Sequence, residues 1–375
     1  MTITFRGAVL RERGLPRPYV ESRPFEVVEL ELPAPGPGEV LVKVRAAGLC
    51  RSDLSVVTGA RVWPLPMVVG HEAAGTVEAV GAGVDRVGPG DDVVLVYLPQ
   101  CGTCRRCESG EPWLCKVGMA ANLRGELLTG GTRLLHRGEP IHHHMGVAAF
   151  AEYALVAEQS TVPVPSGLSA RDVAVFGCAV LCGAGTVLNT ARVRPGESVA
   201  VVGLGAVGLA AVMGARVAGA DRIAAFDLLE TKLEAASAVG ATEVAVADDA
   251  AVEDLIRRTD GGVDHAVEAS GTLEGFELAS KLVRPGGTVT TLGLPGPGVS
   301  HALALAPLVA SGLTIRGSYL GSCDVRRDLP RFVELYREGR FPADRLATHH
   351  LGLDDLNAAL DRLADGAALR QVVEF

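Results

Sequence analysis

The pattern of apolar and polar positions divides the chain into a β-rich first part and a later part in which strands alternate with helices. Phe25 to Leu32 and Glu39 to Ala46 alternate as strands do, and prolines and glycines separate them. Residues 1–45 therefore predict a small barrel-like β structure. Lys116 to Glu152, by contrast, is a glycine-rich connection with no clear period.

From Ser198 onward, short apolar runs and helical segments follow one another in turn. A strand at Ser198 to Gly203 precedes a helix of small apolar residues, Leu209 to Ala218, and a second strand, Arg222 to Phe226. Later elements continue the alternation: strands at Glu243 to Ala247, Asp264 to Glu268, Gly287 to Leu292 and Leu313 to Ser318, helices from Ala251, Asp328 to Glu338 and Leu353 to Leu363, and a final strand at Gln371 to Phe375. This order predicts an α/β fold with a doubly wound parallel sheet.

Gly203, Gly205 and Gly208 form a G-x-G-x-x-G pattern between the first of these strands and its helix. The first glycine permits a tight turn, the second a close approach to a pyrophosphate at the helix N-terminus, and the third close packing of helix on strand. Asp227 ends the next strand, where a carboxylate can accept both ribose hydroxyls of NAD. Such a pattern is weak in a chain with 46 glycines. The order of strand, turn, helix, strand and acid makes NAD binding the prediction.

Composition excludes several classes of function. A chain of 375 residues is long enough for two or three domains, and its net charge of −9, without a long run of one sign, argues against nucleic acid and anionic membranes. The uncharged run from Ser198 to Ala215 has the composition of a membrane span, but its glycines and the strands that follow argue against one. The N-terminal residues show no apolar core of a secretory signal. We therefore expect a cytoplasmic protein.

Eight cysteines in a chain without an export signal point to metal binding or catalysis before disulfides. Four of them, Cys101, Cys104, Cys107 and Cys115, form C-x2-C-x2-C-x7-C in a loop rich in Gly, Arg and Glu. Four thiolates on a compact lobe suit a structural tetrahedral zinc ion. Disulfides are disfavoured in a reducing compartment, whereas an iron–sulfur cluster remains an alternative from spacing alone.

Further candidate ligands lie in GLCRSD, which contains Cys50, and in GHEAAG, which contains His71. Together with the four-cysteine lobe, Cys178 in FGCAVLCGAG, and VGLGAVGL, these motifs resemble those of the zinc-dependent medium-chain alcohol dehydrogenases. The resemblance covers essentially the whole chain, including PIHH and the closing LRQVVEF, and is to the liver-type branch with a long structural-zinc loop.

The resemblance implies a GroES-like catalytic domain at residues 1–179 with the zinc lobe at about 99–116, an NAD-binding Rossmann domain at 180–320, and a return to the first domain at 321–375. It implies two zinc ions per chain. Cys50, His71 and Cys178 would bind the catalytic zinc, and the four-cysteine lobe would bind the other.

Other residues receive roles from the same resemblance. Glu72 would lie behind the metal as an occasional ligand, Asp53 would accept the second ring N–H of His71, and Ser52 would hydrogen-bond the substrate hydroxyl and take its proton. For the cofactor, the implied residues are Arg51 and Arg370 at the pyrophosphate, Asp227 and Lys232 at the adenosine ribose, and Val207 within the glycine motif.

The chain departs from the family pattern at three positions. The liver-type enzymes have a histidine three residues beyond the relay serine, where Ser55 stands here, and a threonine four residues after the third zinc ligand, where Cys182 stands. A bulky apolar residue usually follows PIHH, where this chain has His144. Without the relay histidine, the proton would leave past Ser55 through water or, less often, through His144.

The resemblance thus implies an NAD-dependent oxidoreductase that interconverts a primary alcohol and an aldehyde. The residues expected to line the cleft suggest aryl or medium-chain alcohols: Trp63, Tyr97, His144, Met145 and Val180. A reductase of conjugated carbonyls and a catalytically silent dinucleotide-binding protein remain the alternatives. A homodimer is expected, formed by pairing of the Leu313 to Ser318 strand with its symmetry mate.

Overall fold

The computed structural model describes residues 2–296 and 298–375. Its strands are β1 (Ile3–Leu10), β2 (Phe25–Leu32), β3 (Glu39–Leu49), β4 (Met67–Val68), β5 (Ala73–Val80), β6 (Asp92–Leu95), β7 (Leu134–His136), β8 (Glu139–His143), β9 (Tyr153–Ala157), β10 (Thr161–Pro163), β11 (Ser198–Val202), β12 (Arg222–Asp227), β13 (Glu243–Val246), β14 (Val263–Glu268), β15 (Val283–Thr291), β16 (Thr314–Gly317), β17 (Ala347–Leu351) and β18 (Arg370–Glu374).

The helices alternate with these strands mainly in the second half of the chain. They are α1 (Tyr19–Ser22), α2 (Arg51–Val57), α3 (Arg105–Glu108), α4 (Lys116–Leu123), α5 (Ala170–Ala174), α6 (Ala179–Gly185), α7 (Ala206–Ala218), α8 (Glu230–Val239), α9 (Asp249–Arg258), α10 (Leu273–Leu282), α11 (Leu305–Ser311), α12 (Val325–Arg337) and α13 (Leu356–Ala364). A π-helical segment, Thr186–Ala191, follows α6. Short 3-10 turns span Pro112–Leu114, His144–Gly146, Glu158–Ser160, Val175–Gly177, Leu320–Ser322, Ala343–Leu346 and Leu353–Asp355.

The chain packs into two units. The first comprises Met1–Cys178, Asp324–Val333 and Ala347–Phe375, and the second comprises Ala179–Cys323 and Glu334–Leu346. Within the described residues, no single helix is long and apolar enough to cross a bilayer, and one bent pair of helices passes that test by length and composition only.

The first unit contains a barrel and a larger sheet. Strands β1, β2, β7, β8 and β4 close the barrel, and the sheet runs β10-β6-β5-β3-β18-β17, with β9 also paired to β3. Buried side chains such as Phe5, Leu30 and Leu155 form its apolar core. Antiparallel pairing of β18 with β3 places Gln371 opposite Leu49. The last strand of the chain thereby lies beside the residue that precedes Cys50.

The second unit is built on six parallel strands in the order β13-β12-β11-β14-β15-β16. Numbered along the chain, this is the 3-2-1-4-5-6 order of the dinucleotide-binding fold. Both faces are covered, and Val202, Phe226 and Leu255 lie in the core. The predicted doubly wound parallel sheet is confirmed.

Several local predictions differ from the structure: β15 begins at Val283 instead of Gly287, and α12 begins at Val325 instead of Asp328. Helix α7 begins at Ala206, three residues before the predicted Leu209, because Gly205 is its N-cap. The segment Lys116 to Glu152, expected to lack regular structure, contains α4, β7 and β8. Strands β7 and β8 pair with β2 and β4, so long-range partners supply an order that the local pattern does not show.

Candidate metal and cofactor sites

The four cysteines of the lobe meet around one point. The Sγ of Cys107 lies 3.9 Å from that of Cys101 and 3.6 Å from that of Cys104, and the Sγ of Cys104 lies 3.9 Å from that of Cys115. Four ligands at the usual zinc–sulfur distance of about 2.3 Å would stand about 3.8 Å apart in a tetrahedron. The sulfurs therefore fit a single ion, and they are too close together to enclose an iron–sulfur cluster.

Backbone N–H groups point at these sulfurs. The amides of Cys101 and Gly118 donate to Cys115 Sγ at 3.4 and 3.3 Å, and the amide of Cys104 donates to Cys101 Sγ at 3.3 Å. A backbone hydrogen bond with Cys107 lowers the pKa of the Cys104 thiol to about 6, whereas burial raises the pKa of the Cys107 and Cys115 thiols. Such donors stabilise thiolates, which is the form that binds zinc.

A second group of candidate ligands, Cys50, His71 and Cys178, belongs to the first unit and is buried. Their ligand atoms lie within 4.8 Å of one another, and none of the three side chains is more than slightly exposed. Cys50 is the N-cap of α2, and its backbone N–H donates to Asp53 Oδ2 at 2.8 Å, closing a capping box. His71 follows Gly70, whose φ of +92° turns the chain after β4.

The electrostatics of this group favour thiolate ligands. A hydrogen bond with Cys178 holds the pKa of the Cys50 thiol well below its usual value, and the nearby charges of Arg370 and His71 act in the same direction against burial. Burial lowers the pKa of His71, but the charge and hydrogen bond of Asp53 outweigh it and raise the pKa overall. Two thiolates and an imidazole leave one position of a tetrahedral zinc open, which is the arrangement of a catalytic zinc site.

Glu72 and Arg370 form a buried ion pair behind these ligands. Arg370 Nε lies 3.3 Å from Glu72 Oε1, and Arg370 Nη1 donates to the carbonyl of Leu49 at 3.1 Å. Arg370 is only 3% exposed. Its guanidinium therefore faces Glu72 and the thiols in this structure, whereas Arg51, the other residue expected at the pyrophosphate, is exposed on α2.

His71 is surrounded by other rings. Its Nδ1 lies 2.8 Å from Asp53 Oδ1, and its ring packs edge-to-face on Tyr97 and on His144. Trp63 also packs edge-to-face on His144, at a centroid distance of 5.4 Å. Trp63, Tyr97 and Met145 are each 5–8% exposed. Four of the residues expected to line the substrate cleft thus lie at or near His71.

His144 itself is completely buried, and burial lowers its pKa. An imidazole that is enclosed and held neutral is poorly suited to collect a proton and pass it to solvent. This argues against His144 as the proton exit. The sequence does not predict the contact of His144 with Asp53, because the two residues belong to distant segments. The only sequence feature that pointed to His144 was its place after PIHH, where the family usually has a bulky apolar residue.

The two serines of the expected relay lie on α2, both half-buried. Ser55 Oγ donates to the backbone carbonyl of Ser52 at 2.6 Å. Its proton is therefore engaged in a bond within the helix. The oxygen of Ser55 can still accept a hydrogen bond, for example from a water molecule, through its lone pairs.

The glycine motif of the second unit has the local geometry of a phosphate cradle. Gly203 has a φ of +90°, and a Cβ on Gly208 would lie 1.8 Å from the carbonyl oxygen of Gly203. A Cβ on Gly205, by contrast, would meet nothing within 4 Å. The first and third glycines are thus required by the turn and the packing, and the open space at Gly205 is where a ligand can approach the backbone.

Asp227 is tied to the same turn. Its Oδ2 accepts the backbone N–H of Leu204 at 2.7 Å, its Oδ1 accepts that of Leu229 at 3.2 Å, and Lys232 Nζ lies 3.6 Å from Oδ2. Val207 is half-buried in the first turn of α7. Cys182 and Val180 lie on α6 of this unit.

Comparison with known proteins identifies the family of the chain. Residues 36–166 match the family described as alcohol dehydrogenase GroES-like domain, and residues 206–338 match the family described as zinc-binding dehydrogenase. The structure of an alcohol dehydrogenase zinc-binding domain protein from Burkholderia ambifaria is 36% identical, with a TM-score of 0.94 over 100% of both chains. The chain belongs to the zinc-dependent medium-chain alcohol dehydrogenases.

Two further structures extend the comparison of this family member. Benzyl alcohol dehydrogenase from Acinetobacter calcoaceticus is 33% identical, with a TM-score of 0.91 over 100% of this chain and 99% of its own. A zinc-binding dehydrogenase from Sinorhizobium meliloti, solved with NADP, is 26% identical, with a TM-score of 0.81 over 100% of both chains. The GroES-like first domain predicted from the sequence is confirmed, and the chain belongs to an oxidoreductase family.

Proposed function

We propose that this protein is an NAD-dependent zinc dehydrogenase that interconverts primary aryl or medium-chain alcohols and their aldehydes. The observation that carries the proposal is the convergence of Cys50, His71 and Cys178 in a buried pocket with Asp53 behind the histidine. A protein that only bound a dinucleotide would not need two thiols and an imidazole that leave one metal position open.

The zinc held by these ligands would act as a Lewis acid on the substrate oxygen, and NAD would accept the hydride. The chain's own residues do the rest. Asp53 orients His71 through the Nδ1 hydrogen bond, and Ser52, half-buried on the same helix, would accept the hydroxyl proton. That proton then leaves past Ser55 through water. The four-cysteine lobe would hold a second zinc, giving two per chain.

The proposed substrate class rests on the rings around His71. Trp63 and Tyr97 present apolar faces that suit an aryl group or a medium alkyl chain. The similarity to benzyl alcohol dehydrogenase, at 33% identity over the whole chain, supports the same class.

The choice of NAD rests on Asp227. Its carboxylate would repel a 2′-phosphate, and the two residues after it, Leu228 and Leu229, offer no cation to bind one. We further propose a homodimer and a reducing compartment such as the cytoplasm, in which the free cysteines would stay reduced.

The proposal is tested by mixing the zinc-loaded protein with NAD and a panel of benzylic, linear primary and secondary alcohols while following NADH absorbance. We expect turnover to be highest with benzylic or medium-chain primary alcohols, and to be lost in Cys178→Ala. Analysis of the products formed from an enal and NADH separates the alternatives, because an allylic alcohol means reduction of C=O and a saturated aldehyde means reduction of C=C. Absence of turnover with every alcohol and enal would refute an enzymatic role of this kind.

A further inference from the structure

Asp53 is shared by two histidines. Its Oδ1 lies 2.8 Å from Nδ1 of His71 and 3.3 Å from Nδ1 of His144, while its Oδ2 accepts the backbone N–H of Cys50. All three ionisable side chains are buried, with exposures of 0–1%. The carboxylate that orients His71 therefore faces a second imidazole, which lies outside the Cys50–His71–Cys178 group.

The ring nitrogens of the buried His144 side chain have little of their hydrogen-bonding capacity met. Neither ring nitrogen makes an aligned hydrogen bond within the described part of the chain, although Nδ1 is near enough to Asp53 for an ion pair. A buried polar atom without a partner costs about 1–3 kcal/mol. The next residue, Met145, has a φ of +50°, which few residues other than glycine adopt.

An apolar side chain would avoid this unfavourable burial, since His144 packs between the rings of Trp63 and His71. Packing alone therefore does not explain why an imidazole stands at this position. Asp53 Oδ1, 3.3 Å from Nδ1, is an acceptor within reach of the ring. A carboxylate oxygen can only accept, so the pairing requires the proton of His144 on Nδ1.

We propose that His144 is a positioning residue of the metal centre, which donates from Nδ1 to Asp53 Oδ1 and so competes with His71 for that oxygen. A carboxylate that accepts a second donor has less charge to give to the first. The His71 bond to Asp53 is weakened, and His71 donates less charge to the metal it binds. A metal held by a less basic imidazole is the stronger Lewis acid.

This inference rests on the proposed zinc site but not on the proposed substrate, so its test uses no turnover. In the zinc-loaded protein with ¹⁵N-labelled histidine, NMR resolves the imidazole N–H protons that are hydrogen-bonded to a carboxylate. A chelator competition measures how tightly the Cys50–His71–Cys178 site holds zinc. The zinc of the four-cysteine lobe is the internal reference for intact folding.

Two variants separate donation from packing. His144→Phe keeps a ring between Trp63 and His71 but cannot donate, whereas His144→Asn carries an amide N–H where Nδ1 stood. In His144→Phe we expect the NMR signal of the His71 Nδ1 proton to move downfield. We also expect the Cys50–His71–Cys178 site to bind zinc about threefold or more tightly, which is a fraction of the roughly 10–100-fold change in metal affinity that a direct outer partner is worth. In His144→Asn we expect both values to stay near those of the unmodified protein.

An unchanged His71 proton and unchanged zinc affinity in His144→Phe would overturn the proposal, as would equal changes in both variants. Weaker zinc binding in His144→Phe with the lobe zinc retained would also overturn it, since His144 would then support the His71–Asp53 bond instead of competing with it. Failure of the proposed metal site would look different. The unmodified protein and Cys178→Ala would then bind the same amount of zinc.

Discussion

Gly48 and Glu72 share a space that cannot also hold a methyl group. A Cβ on Gly48 would lie 2.1 Å from Glu72 Oε1, and the Gly48 N–H donates to the Glu72 carbonyl at 2.9 Å. Glu72 is fully buried and paired with Arg370, so its carboxylate has no free path into water. The absence of a side chain at Gly48 therefore maintains the charge pair behind the candidate catalytic metal.

Gly48→Ala is expected to lower the free energy of unfolding by about 1–3 kcal/mol, because the added methyl overpacks a buried site. It should also weaken zinc retention at Cys50, since a displaced Glu72 changes the charge balance of Arg370. Thermal unfolding and chelator competition measure the two effects. Gly88→Ala is the control, because a Cβ there meets nothing within 4 Å. Equal behaviour of the two variants would contradict the argument.

The two groups of cysteines should lose metal independently. We expect two zinc ions per chain in the unmodified protein and one in each of Cys178→Ala and Cys104→Ala. Cys178→Ala should abolish turnover with little loss of stability, whereas Cys104→Ala should lower the unfolding temperature, because structural zinc contributes directly to folding. Elemental analysis combined with thermal unfolding checks both. A single zinc in the unmodified protein, or iron in the lobe, would show the assignment to be wrong.

Asp227 should decide cofactor choice through its charge. Asp227→Asn keeps an oxygen for the Leu204 N–H but removes the negative charge. We expect the ratio of kcat/KM for NAD to that for NADP to fall about tenfold or more, equivalent to about 1.4 kcal/mol. Asp221→Asn, an exposed carboxylate just before β12, is the control. If the unmodified protein used NADP as efficiently as NAD, the proposed role of Asp227 would fail.

Buried His143 should make stability fall in acid. Burial lowers its pKa to about 3, and its Nε2 accepts the backbone N–H of Arg133. The unfolded chain takes up this proton at the ordinary pKa of about 6.5, so stability is complete above about pH 6.5 and is lost progressively towards about pH 3. By about pH 5 the loss would be about 2 kcal/mol.

His143→Gln removes this loss while keeping an acceptor for Arg133. Between about pH 7.5 and about pH 5, its free energy of unfolding in urea should fall less than that of the unmodified protein by about 2 kcal/mol. His136→Gln, at a partly exposed histidine, is the control and should follow the unmodified protein. Parallel curves for all three proteins would exclude the contribution of His143.

A homodimer should form at the β16 edge of the parallel sheet. Strand β16 ends the sheet, and Leu305 and Val309 on the preceding helix are 70% and 80% exposed. Pairing of β16 with its symmetry mate would satisfy that edge and cover this apolar surface. Light scattering should give the mass of two chains, and Leu305→Asp should reduce it towards one. Leu123→Asp, at a side chain with 67% exposure at the end of α4, should remain dimeric. A mass of four chains would overturn the prediction.

The sequence by itself determined the features that depend on neighbouring residues. The spacing of Gly203, Gly205 and Gly208 already required a turn with a close helix, because each of these constraints acts within a few residues of chain. The cysteine spacing of the lobe likewise allowed four sulfurs to meet, since one short loop carries them all. Alternating strands and helices were sufficient to predict a doubly wound parallel sheet.

Only the tertiary structure decided the surroundings of the ligands. Pairing of β18 with β3 brings Arg370 to Glu72, and pairing of β8 with β4 sets His144 beside Asp53. No local pattern encodes these contacts, because they depend on the register of strands that are far apart in the chain. The buried charges of Glu72 and Arg370 therefore meet beside the candidate metal ligands only when the sheets have formed.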